Sequence, residues 1–212
     1  MSGVRPVPPR PGPADPAAPL TVGLAPPRIL LVCTANRCRS PLAAALLRRT
    51  LRERGRQALV ASAGLLPGGV PVPPDGLRLA GELGLDLAAH RSRQLTPGLL
   101  AAADLVVTMA REHARHVVAA QPDAFARTFT LAGLAEWLVG RPVPVGVPLG
   151  AWLDEAAADR PRSVLLGQAG DVGDPVGRPF RVWRSLGTTL EESVSRVATA
   201  LAPGLPPAAT AP

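Results

Sequence analysis

Both cysteines of the chain lie in one short stretch that also carries other residues suited to chemistry. Cys33 ends an apolar run, and Cys38, Arg39 and Ser40 follow just before a segment with helical spacing of apolar residues. A loop that leaves a strand and enters a helix directs several backbone N–H groups, and the positive end of the helix dipole, at one point. Such a point suits a phosphate-like dianion.

Arg39 and Cys33 fit this anion site in complementary ways. The forked guanidinium of Arg39 can pair with two oxygens of one anion at once. The same positive field favours the thiolate of Cys33, and a thiolate is a nucleophile. The loop lacks the Gly-Lys-Ser/Thr sequence of the nucleotide-binding phosphate loop. The stretch therefore predicts nucleophilic attack on phosphorus.

Two other interpretations of the cysteine pair are weaker. A disulfide closing so short a loop constrains little, and we expect a reducing, cytoplasmic location because no signal peptide or membrane span is apparent in the sequence. A zinc site needs more than two cysteines, and no histidine shows ligand spacing to them. We therefore expect neither a metal nor a cofactor.

The segments around the loop predict an α/β fold. Ile29 to Val32 is a short apolar run typical of a buried parallel strand, and helical spacing follows from Pro41 to about Arg54. The later pattern predicts strands at 58–61, 104–109 and 129–131, and helices at 75–83, 110–120, near Trp137, at 151–159 and at 180–201. This alternation indicates one domain with a central parallel sheet of about four strands, helices on both faces, and the catalytic loop between the first strand and the first helix.

Composition bounds the domain and its partners. The chain has 26 prolines and 21 glycines, and their concentration predicts disordered tails at 1–27 and 202–212 around a domain at 28–201. Residues 140–169 lose periodicity and are expected to be an insertion. The formal charge of +7 comes without lysine, tyrosine or the interleaved aromatic residues that stack on bases, so we expect neither a nucleic-acid nor a membrane partner. The oligomeric state stays open.

The run Cys-Thr-Ala-Asn-Arg-Cys-Arg-Ser-Pro at 33–41 closely resembles the signature loop of the low-molecular-weight protein tyrosine phosphatases. Further matches to that family follow in its order: Ser62-Ala63-Gly64, residues 84–87 leading to 90–96, the strand at 104–109, and Asp174-Pro175 before the last helix. The resemblance covers about residues 28–201. It implies a phosphatase that acts on a phosphorylated protein, with phosphotyrosine as the expected substrate, or on a small phosphomonoester.

The resemblance also implies roles for individual residues. Cys33 is expected to attack phosphorus and form a phosphocysteine, and Arg39 to bind the phosphoryl oxygens through the transition state. Asp174 is expected to protonate the leaving oxygen and then to activate water; Asp171 is the alternative acid. Ser40 is expected to stabilise the thiolate. The expected phosphate-binding residues are Thr34, Ala35, Asn36, Arg37, Cys38, Arg39 and Ser40.

Three further residues have expected supporting or redox roles. Asn36 should hold a left-handed backbone conformation, which asparagine tolerates better than most residues, and the resemblance implies support from Ser62 and His90. Cys38 matches a cysteine that, in several family members, forms a reversible disulfide with the nucleophile. A small buried residue without a redox role is an equal alternative for Cys38.

The chain departs from the family pattern at the mouth of the loop. Members that act on phosphotyrosine usually carry aromatic residues there, whereas the matching positions here fall near Gly68 and on Val176. Arg37 replaces a residue that is aliphatic in tyrosine-specific members and threonine in phosphoarginine-specific ones, and it either recruits an acidic substrate or points into solvent. The alternative functions are a protein-arginine phosphatase, a thiol-coupled arsenate reductase, and a non-enzymatic oxyanion-binding scaffold.

Overall fold

The computed structural model describes residues 24–166 and 170–208. Strands and helices alternate as the apolar periodicity predicts. The four strands are β1 (Arg28–Cys33), β2 (Leu59–Gly64), β3 (Leu105–Thr108) and β4 (Thr128–Thr130). The helices are α1 (Arg39–Glu53), α2 (Pro74–Glu82), α3 (Pro97–Ala101), α4 (Arg111–Ala120), α5 (Leu131–Trp137), α6 (Leu149–Ala156) and α7 (Phe180–Leu201). None of the helices in the described ranges is long and apolar enough to cross a membrane.

The strands form one parallel sheet in the order β2-β1-β3-β4. β1 is central: Cys33 pairs with Gly64 of β2, and Val32 pairs with Thr108 of β3. All these strands therefore end at the same edge of the sheet. In open parallel sheets, ligands bind at the carboxyl ends of the strands, so the central strand delivers Cys33 to the edge where a site is expected.

Two apolar layers cover the sheet, which confirms the predicted α/β class with helices on both faces. Successive side chains of a strand point to opposite faces. Ile29, Leu31 and Cys33 belong to the larger cluster, formed with α1, α5, α6 and α7, whereas Leu30 and Val32 belong to the smaller one with Leu100, Val106 and Val117. Helix α7 buries one stripe in the larger layer: Trp183, Leu186, Leu190, Val194, Val197 and Leu201.

The C-terminal segment differs from the disordered tail that composition predicts from residue 202. Leu205 is buried in the larger core, Pro207 forms an antiparallel bridge with Arg56, and the Ala208 N–H donates to the Gly55 carbonyl. These long-range contacts fix residues 202–208 despite their proline and alanine content. Residues 209–212, like residues 1–23 of the predicted N-terminal tail, lie outside the described residues.

The segment predicted as an insertion at 140–169 packs against the sheet. Val143, Leu149 and Leu153 are buried in the larger core, and Trp152 of α6 stacks on Trp137 with ring centroids 5.4 Å apart. A 3-10 turn follows at Arg162–Leu165, and residues 167–169 lie outside the described part. The described residues of this segment therefore belong to the domain itself.

Candidate active site

The loop between β1 and α1 lies at the carboxyl edge of the sheet. Helix α1 begins at Arg39, with Cys38 as its N-terminal cap residue, so its free N–H groups and the positive end of its dipole point back into the loop. The loop therefore has the backbone arrangement that binds anions. Cys33 lies at its start, with only 2% of its surface exposed.

The Cys33 sulfur receives hydrogen bonds suited to a thiolate. The Ser40 hydroxyl lies 3.0 Å from Sγ, and the Asn36 backbone N–H donates to Sγ at 3.3 Å. The Ser40 oxygen in turn accepts from Asn36 Nδ2 at 3.0 Å, and its own hydrogen has two acceptors in reach, the sulfur and the Ala63 carbonyl at 3.4 Å. The sulfur therefore has two hydrogen-bond partners, one from α1 and one from the loop.

Asn36 fixes the shape of the loop. Its φ is +52°, the one positive value among non-glycine residues in the described ranges. Its amide group donates to Ser40 and, at 2.9 Å, to Ser62 Oγ, and its Oδ1 accepts from the Arg93 backbone N–H at 3.0 Å. His90 Nε2 contacts the Asn36 carbonyl at 2.8 Å. Four residues from three elements thus hold a strained residue in place.

Gly64 allows β2 to approach the loop closely. A Cβ at this position would come within 2.7 Å of the Asn36 nitrogen and 2.9 Å of the Thr34 oxygen. Real side chains do not tolerate contacts this short, so the glycine of the Ser-Ala-Gly motif is required by backbone packing.

Arg39 is a buried cation that joins the loop to a distant segment. Only 5% of the residue is exposed. Its Nη2 contacts Asp174 Oδ2 at 2.6 Å and Thr34 Oγ1 at 3.0 Å, and its Nη1 donates to the Val172 carbonyl at 3.2 Å. The guanidinium is therefore locked in orientation at the base of the anion site.

Of the two candidate acids, Asp174 lies in the site and Asp171 does not. The Asp174 side chain is half exposed, contacts Arg39 through Oδ2 and accepts the Val176 N–H through Oδ1 at 3.1 Å. Asp171 instead accepts the backbone N–H of Arg111 at 3.0 Å, at the start of α4. Asp171 thus anchors the segment, and Asp174 is the carboxyl group beside the anion site.

His113 contacts the site although its sequence shows no ligand spacing. The ring is fully buried, and Nε2 lies 3.0 Å from Thr34 Oγ1, the same hydroxyl that Arg39 contacts. Burial and the Arg39 charge lower the pKa of His113 from 6.5 to about 4. The ring is therefore neutral near pH 7, and its 3.4 Å contact with Glu112 is not an ion pair. The sequence feature that could have identified His113 is its position on the helix that follows β3, because that helix begins at the sheet edge where Cys33 lies.

The two cysteines differ in their surroundings, and both are free thiols. Cys38 is 96% buried, and burial, together with the negative charge of Asp174, raises its pKa well above the ordinary value. Cys38 is therefore held as a neutral thiol. It is not joined to Cys33 by a disulfide in this structure.

The mouth of the loop has few apolar walls. Val176 is exposed and Gly68 lies on an exposed loop. Arg37 does not simply point into solvent, since its Nε donates to the Pro71 carbonyl at 3.1 Å. Among residues 24–166 and 170–208, no group of three or more His, Cys, Asp or Glu side chains is arranged to hold a metal ion.

The chain matches a family model described as low molecular weight phosphotyrosine protein phosphatase over residues 28–139. It therefore belongs to that family. Two curated relatives show the range of the likeness. The chain is 35% identical over 114 residues to the probable low molecular weight protein-tyrosine-phosphatase EpsP of Ralstonia solanacearum, a match that covers 54% of this chain and 77% of that protein. It is 32% identical over 177 residues to a protein-arginine-phosphatase of Geobacillus stearothermophilus, a match that covers 83% of this chain and 97% of that protein.

Solved structures extend the likeness beyond residue 139. The low molecular weight protein tyrosine phosphatase of T. tengcongensis superposes with a TM-score of 0.63 at 28% identity, covering 82% of this chain and 99% of that one. The YwlE arginine phosphatase of Geobacillus stearothermophilus gives a TM-score of 0.62 at 31% identity, covering 82% and 92%. The predicted family, fold class and enzyme class, a phosphoric monoester hydrolase, are confirmed.

Proposed function

We propose that this phosphatase hydrolyses phosphotyrosine on proteins through a phosphocysteine at Cys33. The observation that carries the proposal is the arrangement of one sulfur, one buried guanidinium and one half-exposed carboxyl group around the N-terminus of α1. A nucleophile, an anion-binding group and an acid are the three functions that two-step phosphoryl transfer requires.

In the first step, the Cys33 thiolate attacks phosphorus. The S–P bond forms as the bond from phosphorus to the tyrosine oxygen breaks. The loop N–H groups and Arg39 bind the phosphoryl oxygens and stabilise the charge that they carry in the transition state. Asp174, in its protonated form, gives its proton to the leaving phenolic oxygen.

Arg39 and Asp174 must separate for this step to occur. The Arg39 guanidinium contacts Asp174 at 2.6 Å, and a bound phosphoryl dianion offers it more negative charge than the carboxylate does. Substrate therefore competes with Asp174 for Arg39 and releases the carboxyl group to pick up a proton and turn to the leaving oxygen.

In the second step, water attacks the phosphocysteine. Asp174, now a carboxylate, accepts a proton from the water as the new P–O bond forms. The S–P bond breaks, inorganic phosphate leaves, and Cys33 returns to the thiolate that Ser40 and the Asn36 N–H stabilise. No redox partner is consumed. Both cysteines are free thiols, which suits the cytoplasmic location that we propose for this activity.

Phosphoarginine is the second candidate substrate, because the likeness to a protein-arginine-phosphatase extends over 97% of that protein. The Arg37 guanidinium at the mouth argues against it. The leaving group of phosphoarginine is itself a guanidinium, and two like charges in one mouth repel. The same arginine does not oppose a neutral tyrosine ring. No observation favours arsenate reduction, since Cys38 is the only other cysteine and is held as a neutral thiol.

The test is turnover by purified, reduced protein on two peptides of one sequence, one with phosphotyrosine and one with phosphoarginine. We expect the phosphotyrosine peptide to have the higher kcat/KM, and Cys33→Ser to lose hydrolysis of both. Faster hydrolysis of the phosphoarginine peptide would reverse the assignment of substrate. Hydrolysis by Cys33→Ser at the wild-type rate would remove the mechanism.

A further inference from the structure

Four arginines lie in the catalytic loop or line a depression next to it: Arg37, Arg48, Arg91 and Arg93, here called the basic surface. We propose that the basic surface selects phosphoprotein segments with acidic residues next to the phosphorylated side chain. This inference rests on the proposed function and narrows its substrate class.

Contacts on the loop after β2 bring Arg37 and Arg91 together. Arg37 Nε donates to the Pro71 carbonyl, and Pro71 pairs with Arg91 in an isolated antiparallel bridge. Both arginines therefore adjoin Pro71, Arg37 through its side chain and Arg91 through its backbone. Because Arg37 is itself part of the phosphate-binding loop, this end of the basic surface adjoins the position of the phosphoryl group.

The basic surface continues from Arg91 over the outer side of the loop. Arg91, Arg93 and Arg48 line a depression of about 280 Å³ together with His90, and no acidic residue lines it. The Arg93 backbone N–H donates to Asn36, which ties this depression to the catalytic loop. A second negative group on a substrate would find only positive or neutral side chains here.

The four guanidinium groups are held in place without being neutralised. Each donates to a main-chain carbonyl: Arg37 to Pro71, Arg48 to Val60, Arg91 to Ala88 and His90, and Arg93 to Ser62. A guanidinium has five N–H donors, so each keeps donors for a ligand. Side chains already fixed lose less entropy on binding.

Five arginines elsewhere in the described residues lie close to a carboxylate. Arg39, Arg49, Arg78, Arg111 and Arg184 lie within 4.0 Å of a carboxylate, whereas within the described residues no member of the basic surface does. Asp86, which precedes Arg91 on the same loop, uses its Oδ1 to accept the Ala88 N–H. The charge of the basic surface is therefore available to a partner of opposite sign.

Exposed charge pairs of this kind act mainly on encounter and specificity, and salt screens them. A phosphopeptide with glutamates on both sides of phosphotyrosine should gain about tenfold in kcat/KM over one with glutamines, at roughly 1 kcal/mol or less per pair. Lysines should lower kcat/KM below the glutamine value. Raising the ionic strength from about 20 mM to about 500 mM should reduce the glutamate preference to about twofold.

The experiment measures kcat/KM for three phosphotyrosine peptides that differ only in glutamate, glutamine or lysine at the flanking positions. In the double variant Arg91→Gln/Arg93→Gln the glutamate-to-glutamine ratio should fall to about threefold, and adding Arg37→Gln should bring it close to one. Comparing the ratio within each protein cancels any change in the chemical step. The matched control is Arg196→Gln, an exposed arginine on α7, which should keep the wild-type ratio.

Binding of the same peptides to Cys33→Ser gives a second readout that does not depend on turnover. Equal affinity for all three peptides, or a glutamate preference that survives in the triple variant, would overturn the inference even if wild type hydrolyses every peptide. A glutamate preference in binding, lost in the triple variant, would support it even if no peptide were hydrolysed. In that case the proposed function would fail and the basic surface would stand.

Discussion

The proposed nucleophile and the proposed acid are supported in very different ways. Cys33 and Asn36 are buried, and hydrogen bonds from α1, β2 and the loop that follows α2 fix the loop around them. Asp174 is half exposed, and its side chain is held by Arg39 and by a local bond to the Val176 N–H. The proposed nucleophile is thus held by several hydrogen-bonded elements before substrate binds, whereas the proposed acid is held mainly by a contact with Arg39 that we propose the substrate replaces.

Arg39 belongs to both regions. It starts α1, contacts Thr34 inside the loop, and reaches Val172 and Asp174 on the distant segment. Substitution of Arg39 should therefore affect both the loop around Cys33 and the segment that carries Asp174. Substitutions at other positions should affect one of these two regions.

The largest effect is expected for Arg39→Lys. A lysine keeps the charge but loses the planar fork that pairs with two phosphoryl oxygens and the Val172 carbonyl. We expect kcat/KM for an aryl phosphate to fall about 10³-fold, with most of the loss in kcat. Steady-state kinetics measure this, and a kcat within about threefold of wild type would show that the guanidinium geometry is not required.

Asp174→Asn should remove the proposed acid and leave the loop around Cys33 intact. With a poor leaving group such as phenol, kcat should drop about 10²-fold to 10³-fold because the departing oxygen receives no proton. With a leaving group that departs without protonation, kcat/KM should drop much less, because kcat/KM depends only on the steps up to formation of the phosphocysteine. A drop of equal size in kcat/KM for both leaving groups would assign Asp174 to another role.

Gly64→Ala, a substitution in β2, should distort the loop around Cys33. The new Cβ would meet three backbone atoms closer than 3.0 Å, so either the loop or β2 must shift, at about 1–3 kcal/mol. Chemical denaturation should show this loss together with reduced kcat. The matched control is Gly81→Ala in α2, where nothing lies within 4 Å of the new Cβ and alanine should be neutral or stabilising.

His113 should give the stability of the protein a pH dependence that does not involve the catalytic step. Its pKa is lowered to about 4 in the folded protein, against 6.5 unperturbed, so the unfolded chain binds a proton first as pH falls. Its contribution is complete above pH 6.5 and is lost progressively toward pH 4, by roughly 2–3 kcal/mol. The denaturation midpoint of His113→Asn should change less with pH than that of wild type across this window. If the pH dependence of the midpoint were the same in both proteins, the pKa of His113 would have to be the same in the folded and the unfolded state.

The sequence predicts what local patterns and the loop motif encode. Apolar periodicity gives the strand order along the chain and the bounds of α7, and the resemblance names Cys33, Arg39, Asn36 and Asp174. What it misses depends on contacts between distant residues. His113 and Thr34 lie far apart in the chain, and only the pairing of β1 with β3 brings them together.

The strand β2 and the C-terminal segment show the same limit. Residues 62–64 are too small and polar to signal a strand, yet they pair with β1 as far as Cys33. Composition predicts disorder after Leu201, but Leu205 finds a place in the core and the adjoining backbone bonds to residues 55–57. Composition indicates how much apolar surface a segment can bury on its own. It does not indicate the apolar surface of the folded domain against which that segment can pack.

The phosphocysteine is the central claim, and its direct measurement is mass spectrometry of acid-quenched protein. Asp174→Asn, mixed with an aryl phosphate whose leaving group needs no proton, should form the intermediate normally and hydrolyse it slowly, because the carboxylate that activates water is absent. The account expects one phosphoryl group per chain, on the peptide that contains Cys33. Turnover of that substrate with no phosphoryl group on Cys33, or with the group on another residue, would contradict it.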